Sequence, residues 1–253
     1  MPELAEVKIM SEYINYVSDK RTFNKVKKSP QNKNPELIIG GEFKIKAHNR
    51  GKELILQINN KKLLCNMGMS GNWVFVKTGE EPKHAHLMFD TTDGYTLALV
   101  DFRRFSRWKW VEGWSDNRGP CVLTEWDDFV TNLKNNSHKK IFDKSIYELM
   151  LDQKYFNGLG NYLRAEILDR SNQNPFVSSR ESINNQLMLE LCRDIVMEAY
   201  QLGGGQLLQW TNPYFDDKVT FREWLQCYGK KEKIVDSKGR TFWFDRKYKT
   251  SLT

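Results

Sequence analysis

Near residues 113–120 the hydrophobic pattern of this chain changes period, and that change limits the folds open to it. Upstream, Leu4, Val7, Met10, Ile14 and Val17 recur at helical spacing and predict one leading helix. Short apolar or alternating runs follow at 37–39, 43–47, 54–58, 62–65, 73–76, 84–89, 96–100 and 105–111, with turn residues at Asn59-Asn60, Thr78-Gly79 and Asp93-Gly94. A period of two with such turns predicts an antiparallel β region. Downstream, helical spacing predicts helices at 125–135, 143–152, 159–171 and 183–202. Two last strand-like runs, 233–235 and 241–244, flank Asp236-Ser237-Lys238-Gly239 and predict a hairpin. The expectation is two domains, 1–118 and 119–253, with a functional site between them, where clefts form.

Composition narrows the partners. The 253 residues are 40% hydrophobic, enough to build a core. Mean hydropathy is −0.65, and no run of about 18 apolar residues is present, so no membrane contact is expected. The formal net charge of +7 favours a polyanionic partner, because basic side chains release counterions from a phosphate backbone. Six basic residues between Lys20 and Lys33 have no acid among them, and they read as a solvated lysine-rich surface. The tail from Lys230 to Lys249 sets eight basic residues against three acidic ones. Cys65, Cys121, Cys192 and Cys227 lie far apart, and the acidic start lacks the basic opening of a secretory signal. A reducing intracellular compartment is expected, nucleus or cytoplasm unresolved.

Two segments carry candidate chemistry. A small residue after Met1 lets the initiator be removed, which would expose the secondary amine of Pro2. An α-amino group titrates near ~7.7–8.0, well below lysine, so much of it is neutral and nucleophilic near physiological pH. Amines attacking carbonyl-like carbons form Schiff bases, and Glu3 beside it is placed for acid–base work. The second segment is Gln153-Lys154-Tyr155-Phe156-Asn157-Gly158-Leu159-Gly160-Asn161-Tyr162-Leu163-Arg164-Ala165-Glu166. Its glycines permit tight turns before a helix whose first amides can hold a phosphate; a plain turn between packed helices is the equal alternative.

Taken together, five motifs resemble the formamidopyrimidine-DNA glycosylase/endonuclease VIII family. The start Met1-Pro2-Glu3-Leu4-Ala5-Glu6-Val7 is similar to that family's N-terminus, with Ala5 where proline is usual. Arg50-Gly51-Lys52, Met67-Gly68-Met69-Ser70-Gly71 and Asp101-Phe102-Arg103-Arg104-Phe105 resemble three further motifs, with Ser106 where glycine is usual. The segment 153–166 resembles the family's helix–two-turns–helix element. At the C-terminal end, where family members commonly carry a four-cysteine zinc finger, no ligand pair has zinc spacing, and no metal is expected. Instead, Phe221-Arg222-Glu223-Trp224-Leu225-Gln226-Cys227-Tyr228-Gly229 and Asp236-Ser237-Lys238-Gly239-Arg240-Thr241-Phe242-Trp243-Phe244 resemble the zincless-finger, endonuclease VIII-like branch. The four histidines offer no ligand set either; His84 and His86 are expected to share one strand face as ordinary residues.

The resemblance implies an α+β fold. A β-sandwich domain with a leading helix would precede a helical domain holding the two-turns element and a zincless finger at about 221–249. It implies a bifunctional DNA glycosylase/AP lyase without a cofactor, monomeric, acting on damaged DNA, duplex or single-stranded. Pro2 would form the Schiff base, Glu3 would move protons, Lys52 would contact a phosphate, and Glu6 would shape the amine's surroundings. Met69, Arg103 and Phe105 would fill the void left when a base is flipped out of the stack. Asn161, Tyr162, Arg222 and Arg240 would contact DNA, chiefly its backbone, which positions without reading sequence. Gln201-Leu202-Gly203-Gly204-Gly205 resembles a lesion-facing loop in which a basic residue can follow the glycine pair; here Gly205 stands there. A catalytically silent damage binder on the same fold is the alternative, disfavoured by the presence of Pro2, Glu3 and Lys52.

Overall fold

The leading helix, α1, runs from Leu4 to Ser18, and all five residues that predicted it are buried. This comes from a computed structural model of the chain, which describes residues 1–205 and 220–252. Eight strands follow: β1 (Phe23–Lys28), β2 (Ile45–Arg50), β3 (Glu53–Ile58), β4 (Lys61–Asn66), β5 (Asn72–Lys77), β6 (Ala85–Thr91), β7 (Tyr95–Val100) and β8 (Arg107–Val111). They form two four-stranded antiparallel sheets, ordered β1-β6-β7-β5 and β2-β3-β4-β8. Alternation along the strands sends Trp73, Leu87, Phe89, Leu97 and Leu99 of one sheet and Leu54, Leu56, Leu63, Cys65 and Trp108 of the other into a single core. Val7, Met10, Ile14 and Val17 of α1 join it, which makes the arrangement a helix-capped β-sandwich. The Asn15 side chain bonds both the N–H and the carbonyl of Ala47, at 2.7 and 2.9 Å, and so covers part of edge strand β2.

Two features depart from the expected pattern. The run 37–39 is no strand: Leu37 is buried while Ile38 is 86% exposed, and neither joins a ladder. The first basic run, expected as surface, contains β1, an edge strand that buries Phe23 and pairs with β6. Lysines suit an edge because they discourage pairing with another chain. Two of these lysines are paired: Lys27 with Glu81 and Asp90, both at 2.9 Å, and Lys28 with Glu36 at 3.0 Å.

The second unit begins at Ser115, so the first comprises Met1–Trp114, to which Gly203, Gly204 and Gly205 also belong. The expected break after 118 thus falls four residues earlier, and the chain returns to the first unit at Gly203. The second unit holds α2 (Trp126–Asn136), α3 (Ile146–Leu149), α4 (Asn161–Arg170), α5 (Ser179–Ser182), α6 (Gln186–Gln201) and α7 (Phe221–Trp224). Of the expected helix at 143–152 only a single α turn forms, preceded by a 3-10 turn at Lys140–Asp143. The Ile146 N–H there is drawn to the Val177 carbonyl at 3.0 Å. Helix α6 starts at Gln186 because the Asn185 side chain caps it, accepting from the Met188 N–H at 3.2 Å. The expected hairpin forms as β9 (Glu232–Val235) and β10 (Thr241–Phe244).

Candidate functional site

In the first unit the candidate chemistry gathers at the start of α1. Pro2 is half-buried, just outside the helix. Glu3 is the N-cap residue and only 2% exposed. The Glu6 carboxylate, one turn on, accepts the Glu3 N–H at Oε2 and the Gly205 N–H at Oε1, both at 2.8 Å. Gly204 lies against it with φ +68°, where an added Cβ would meet Glu6 Oε1 at 2.7 Å. Glycine is required there by both conformation and space. Glu6 is therefore not on the solvated helix face where an acidic first-turn residue ordinarily sits; one carboxylate ties the backbone of Glu3 to that of Gly205.

Arg50 pairs with Glu53 across β2 and β3, which leaves Gly51 and Lys52 as the whole turn. Gly51 at φ +55° occupies the first central position, as in a II′ hairpin, and Lys52 follows it half-buried.

Met69, Arg103 and Phe105 stand on two neighbouring loops, 67–71 between β4 and β5 and 101–106 between β7 and β8. Met69 and Phe105 are 44% and 48% exposed, so core packing does not account for them. The Arg103 guanidinium lies 4.9 Å from the centre of the Phe105 ring. Ser106, where glycine is usual, is fully buried without a left-handed backbone, so a side chain fits. His86 is buried, with Nε2 2.9 Å from the Asp101 carbonyl oxygen, whereas His84 is half-buried and precedes β6.

In the second unit, Gln153 organises the two turns before α4. Its amide donates to the Leu151 and Leu159 carbonyls and accepts from the Gly158 N–H at 3.0 Å, with Gly158 at φ +114°. Asn161 opens α4, and its side chain holds the hairpin. Its Nδ2 donates to the Thr241 carbonyl at 2.8 Å, and its Oδ1 accepts from the Arg164 guanidinium at 2.6 and 3.0 Å. A phosphate at this turn would thus meet backbone amides more readily than the committed side chain. Tyr162 is buried edge-on against Phe221 and Tyr228. Arg222 is exposed on α7, whose start is held by a Thr220–Glu223 capping box.

Arg240 leads into β10. Its Nε pairs with Asp236 at 2.7 Å and its N–H donates to the same carboxylate at 2.9 Å. Asp236 also accepts from Lys238 N–H. Burial works to raise the Asp236 carboxyl, but these bonds and the Arg240 charge hold it below the usual range. Trp243 packs on Tyr228 with ring centres 4.3 Å apart. Phe242, by contrast, stacks on Tyr147 at 4.7 Å with Arg164 over it at 4.8 Å, not on the α7 region. Among the described residues no group of three or more His, Cys, Asp or Glu is placed to hold a metal ion, and no helix is long and apolar enough to cross a membrane.

Among the residues of the quoted motifs that took no role from sequence, two acids stand out. Asp101 and Glu166 are both fully buried carboxylates ringed by donors. The available signal was an acid at the first position of one motif and at the last of the other.

Residues 1–108 match the formamidopyrimidine-DNA glycosylase N-terminal domain, and residues 217–247 match the DNA-binding region of endonuclease VIII-like 1. Endonuclease 8-like 1 of Homo sapiens is 38% identical, over 96% of this chain and 72% of that protein. The Mus musculus protein of that name is 35% identical over the same shares. Formamidopyrimidine-DNA glycosylase of Listeria innocua is 26% identical over 80% of this chain and 76% of that protein. The crystal structure of MutM (Fpg) from Thermus thermophilus superposes with a TM-score of 0.78 at 23% identity, covering 98% of each chain. Lactococcus lactis Fpg, in complex with DNA containing an abasic site, superposes at 0.77 and 22% identity over 96% of this chain and 97% of that one. These two likenesses speak to the fold, and the human protein to the family. The chain belongs to the formamidopyrimidine-DNA glycosylase/endonuclease VIII family of DNA glycosylase/AP lyases, in its endonuclease 8-like branch.

Proposed function

We propose that this chain is a bifunctional DNA glycosylase/AP lyase of base excision repair that removes oxidised bases through the amine of Pro2. The observation that carries the assignment of the nucleophile is the fixed start of α1. Glu6 holds the Glu3 backbone at 2.8 Å, so the residue before it is presented at the helix entrance with a defined direction. Once Met1 is gone, the Pro2 amine attacks the sugar C1′ and the damaged base departs. Glu3, buried beside the amine, moves the proton that this exchange requires. The C1′–O4′ bond then opens, with a proton passing to O4′, and the resulting iminium acidifies C2′, so that β- and then δ-elimination cut the strand on both sides. Lys52 contacts a phosphate next to the lesion; Met69, Arg103 and Phe105 occupy the vacated stack; the start of α4, Arg222 and Arg240 hold the backbone. The enzyme works as a monomer, on duplex or single-stranded damaged DNA, in a reducing compartment, nucleus or cytoplasm. Its four free, buried thiols fit that environment.

Borohydride trapping on DNA with one abasic site tests this reading. A preparation with Met1 removed should form a covalent adduct that peptide mass spectrometry maps to Pro2. A preparation retaining Met1, which is 59% exposed in the structure, should bind the same DNA and trap nothing. An adduct on Lys52 would move the nucleophile, and the absence of any adduct would favour a silent damage binder.

A further inference from the structure

Loops 67–71 and 101–106 are joined from beneath by one carboxylate. Asp101 is fully buried at their root. Its Oδ1 accepts from the Ser70 hydroxyl of the first loop and from the Arg103 N–H of the second at 3.1 Å. Its Oδ2 accepts the Ser106 N–H at 2.7 Å, and its own carbonyl accepts the Arg104 N–H at 3.2 Å. Arg104 is thereby held at φ +59°, a conformation unusual for a residue with a side chain. The loops also touch directly: a Cβ on Gly68, itself at φ +59°, would lie 2.7 Å from the Phe105 carbonyl carbon. From the far side Asn34 bonds the Ser106 carbonyl at 3.0 Å. The Arg103 N–H thus points to Asp101 and, at 3.4 Å, to the Ser70 hydroxyl that Asp101 grips, while Met69, Arg103 and Phe105 themselves are exposed.

We propose that Asp101, acting through Ser70 and the amides of Arg103 and Ser106, sets Met69, Arg103 and Phe105 into one rigid wedge before DNA is met. The inference rests on the glycosylase reading. Asp101 touches no substrate, so it is a positioning residue. A wedge fixed in advance loses no loop freedom when it enters the base stack, and its groups arrive together. Such a device matters only where a stack must be opened and an opposing base left unpaired. Duplex DNA has both, and a single strand has neither.

Ser70→Ala removes the hydroxyl link between the loops and leaves Asp101 its two amides; Ser70→Thr keeps the hydroxyl; Asp101→Asn turns one acceptor into a donor facing an N–H. Excision of one oxidised pyrimidine is measured in duplex and in single-stranded oligonucleotides, with thermal melting as a check on folding. Ser70→Ala and Asp101→Asn should lower kcat on the duplex by about 10- to 100-fold, the scale of a ~1 Å misplacement, with the single strand within about twofold of wild type. Ser70→Thr should restore the duplex rate. Wedge entry is read separately, from the fluorescence of 2-aminopurine opposite an abasic analogue in duplex DNA. Ser70→Ala should slow its rise even if the protein excises nothing, so failure of the glycosylase reading remains distinguishable from failure of this one. Equal losses on duplex and single strand, or unchanged wedge entry in Ser70→Ala, would overturn the proposal; should Asp101→Asn not fold, Ser70→Ala decides alone.

Discussion

Glu166 Oε1 accepts the backbone N–H of Cys227 at 2.9 Å, and both residues are fully buried. The same carboxylate accepts from Gln226 and Tyr228, each at 2.9 Å, and pairs with Arg170 at 3.1 Å. Three consecutive amides on one carboxylate fix the chain where it turns from α7 toward the hairpin. Bonds to a charged acceptor contribute about 1.5–3 kcal/mol each. Glu166→Gln, which places an NH2 among donors, should lower the unfolding free energy by about 3 kcal/mol. It should also raise hydrogen exchange at 226–228. Added zinc should recover neither quantity. Wild-type exchange at those three amides would show that the carboxylate is dispensable.

Glu3 is 2% exposed beside the proposed nucleophile, and Glu3→Gln preserves its volume while removing its proton chemistry. Release of an oxidised base should fall by ~10²–10⁴-fold, the usual contribution of a positioned acid or base. Cleavage at a pre-formed abasic site should fall less, because no base remains to leave. Single-turnover assays on the two substrates give the comparison, and equal losses on both would place Glu3 in the lyase step instead.

The architecture was legible wherever one face of an element is buried. Helix α1 and seven of the strands announced themselves through period, because their inward positions are apolar; the hairpin was marked by its turn residues, since β9 buries none of its side chains. Strand β1 did not, since an edge strand that buries chiefly Phe23 has almost no alternation to display. The candidate residues were legible through motif resemblance, but their supports were not. Glu6 reaching Gly205, Glu166 reaching Cys227 and Asp101 reaching Ser70 are contacts over 199, 61 and 31 positions. No local period encodes such a pairing. Phe242 shows the same limit: it lies in a quoted motif, and only packing reveals that it leans on Tyr147 and Arg164.

The Lys27–Glu81 pair of the first basic run gives a pH prediction. Burial works to raise the Glu81 carboxyl, but Lys27 and the amides of Glu81 and Gly79 outweigh it and hold the group at about 2. Its pKa is depressed on folding, so its contribution to stability is complete above the ordinary value near 4.5. That contribution shrinks as pH falls and is gone below about 2. Lys27→Met should cost about 1 kcal/mol at pH 7, a modest figure because the lysine is partly exposed. Urea melts at pH 7, 5 and 3.5 should show the two proteins converging in the most acidic series. A gap that stays constant would mean that Lys27 stabilises through its alkyl stem alone.

Arg240 supplies the remaining prediction. Asp236 holds its Nε at 2.7 Å and its backbone N–H at 2.9 Å, and the side chain is still 39% exposed. One face of the guanidinium is thus anchored, and no other described residue accepts from its terminal nitrogens. The anchor is itself secured, since Asn161 at the start of α4 bonds the carbonyl of Thr241, the next residue along. A planar, half-tethered guanidinium suits a phosphate oxygen, which offers charge without sequence information. Arg240→Ala should therefore weaken binding to every DNA sequence alike and lower the slope of log K against log salt by about one unit. Asp236→Asn should weaken binding too, through loss of the anchor, while leaving that slope near wild type because the cation remains. Fluorescence anisotropy over a salt series separates the two variants. If both slopes fall together, or if Arg240→Ala binds like wild type at every salt concentration, the guanidinium is a brace of the hairpin and not a phosphate ligand.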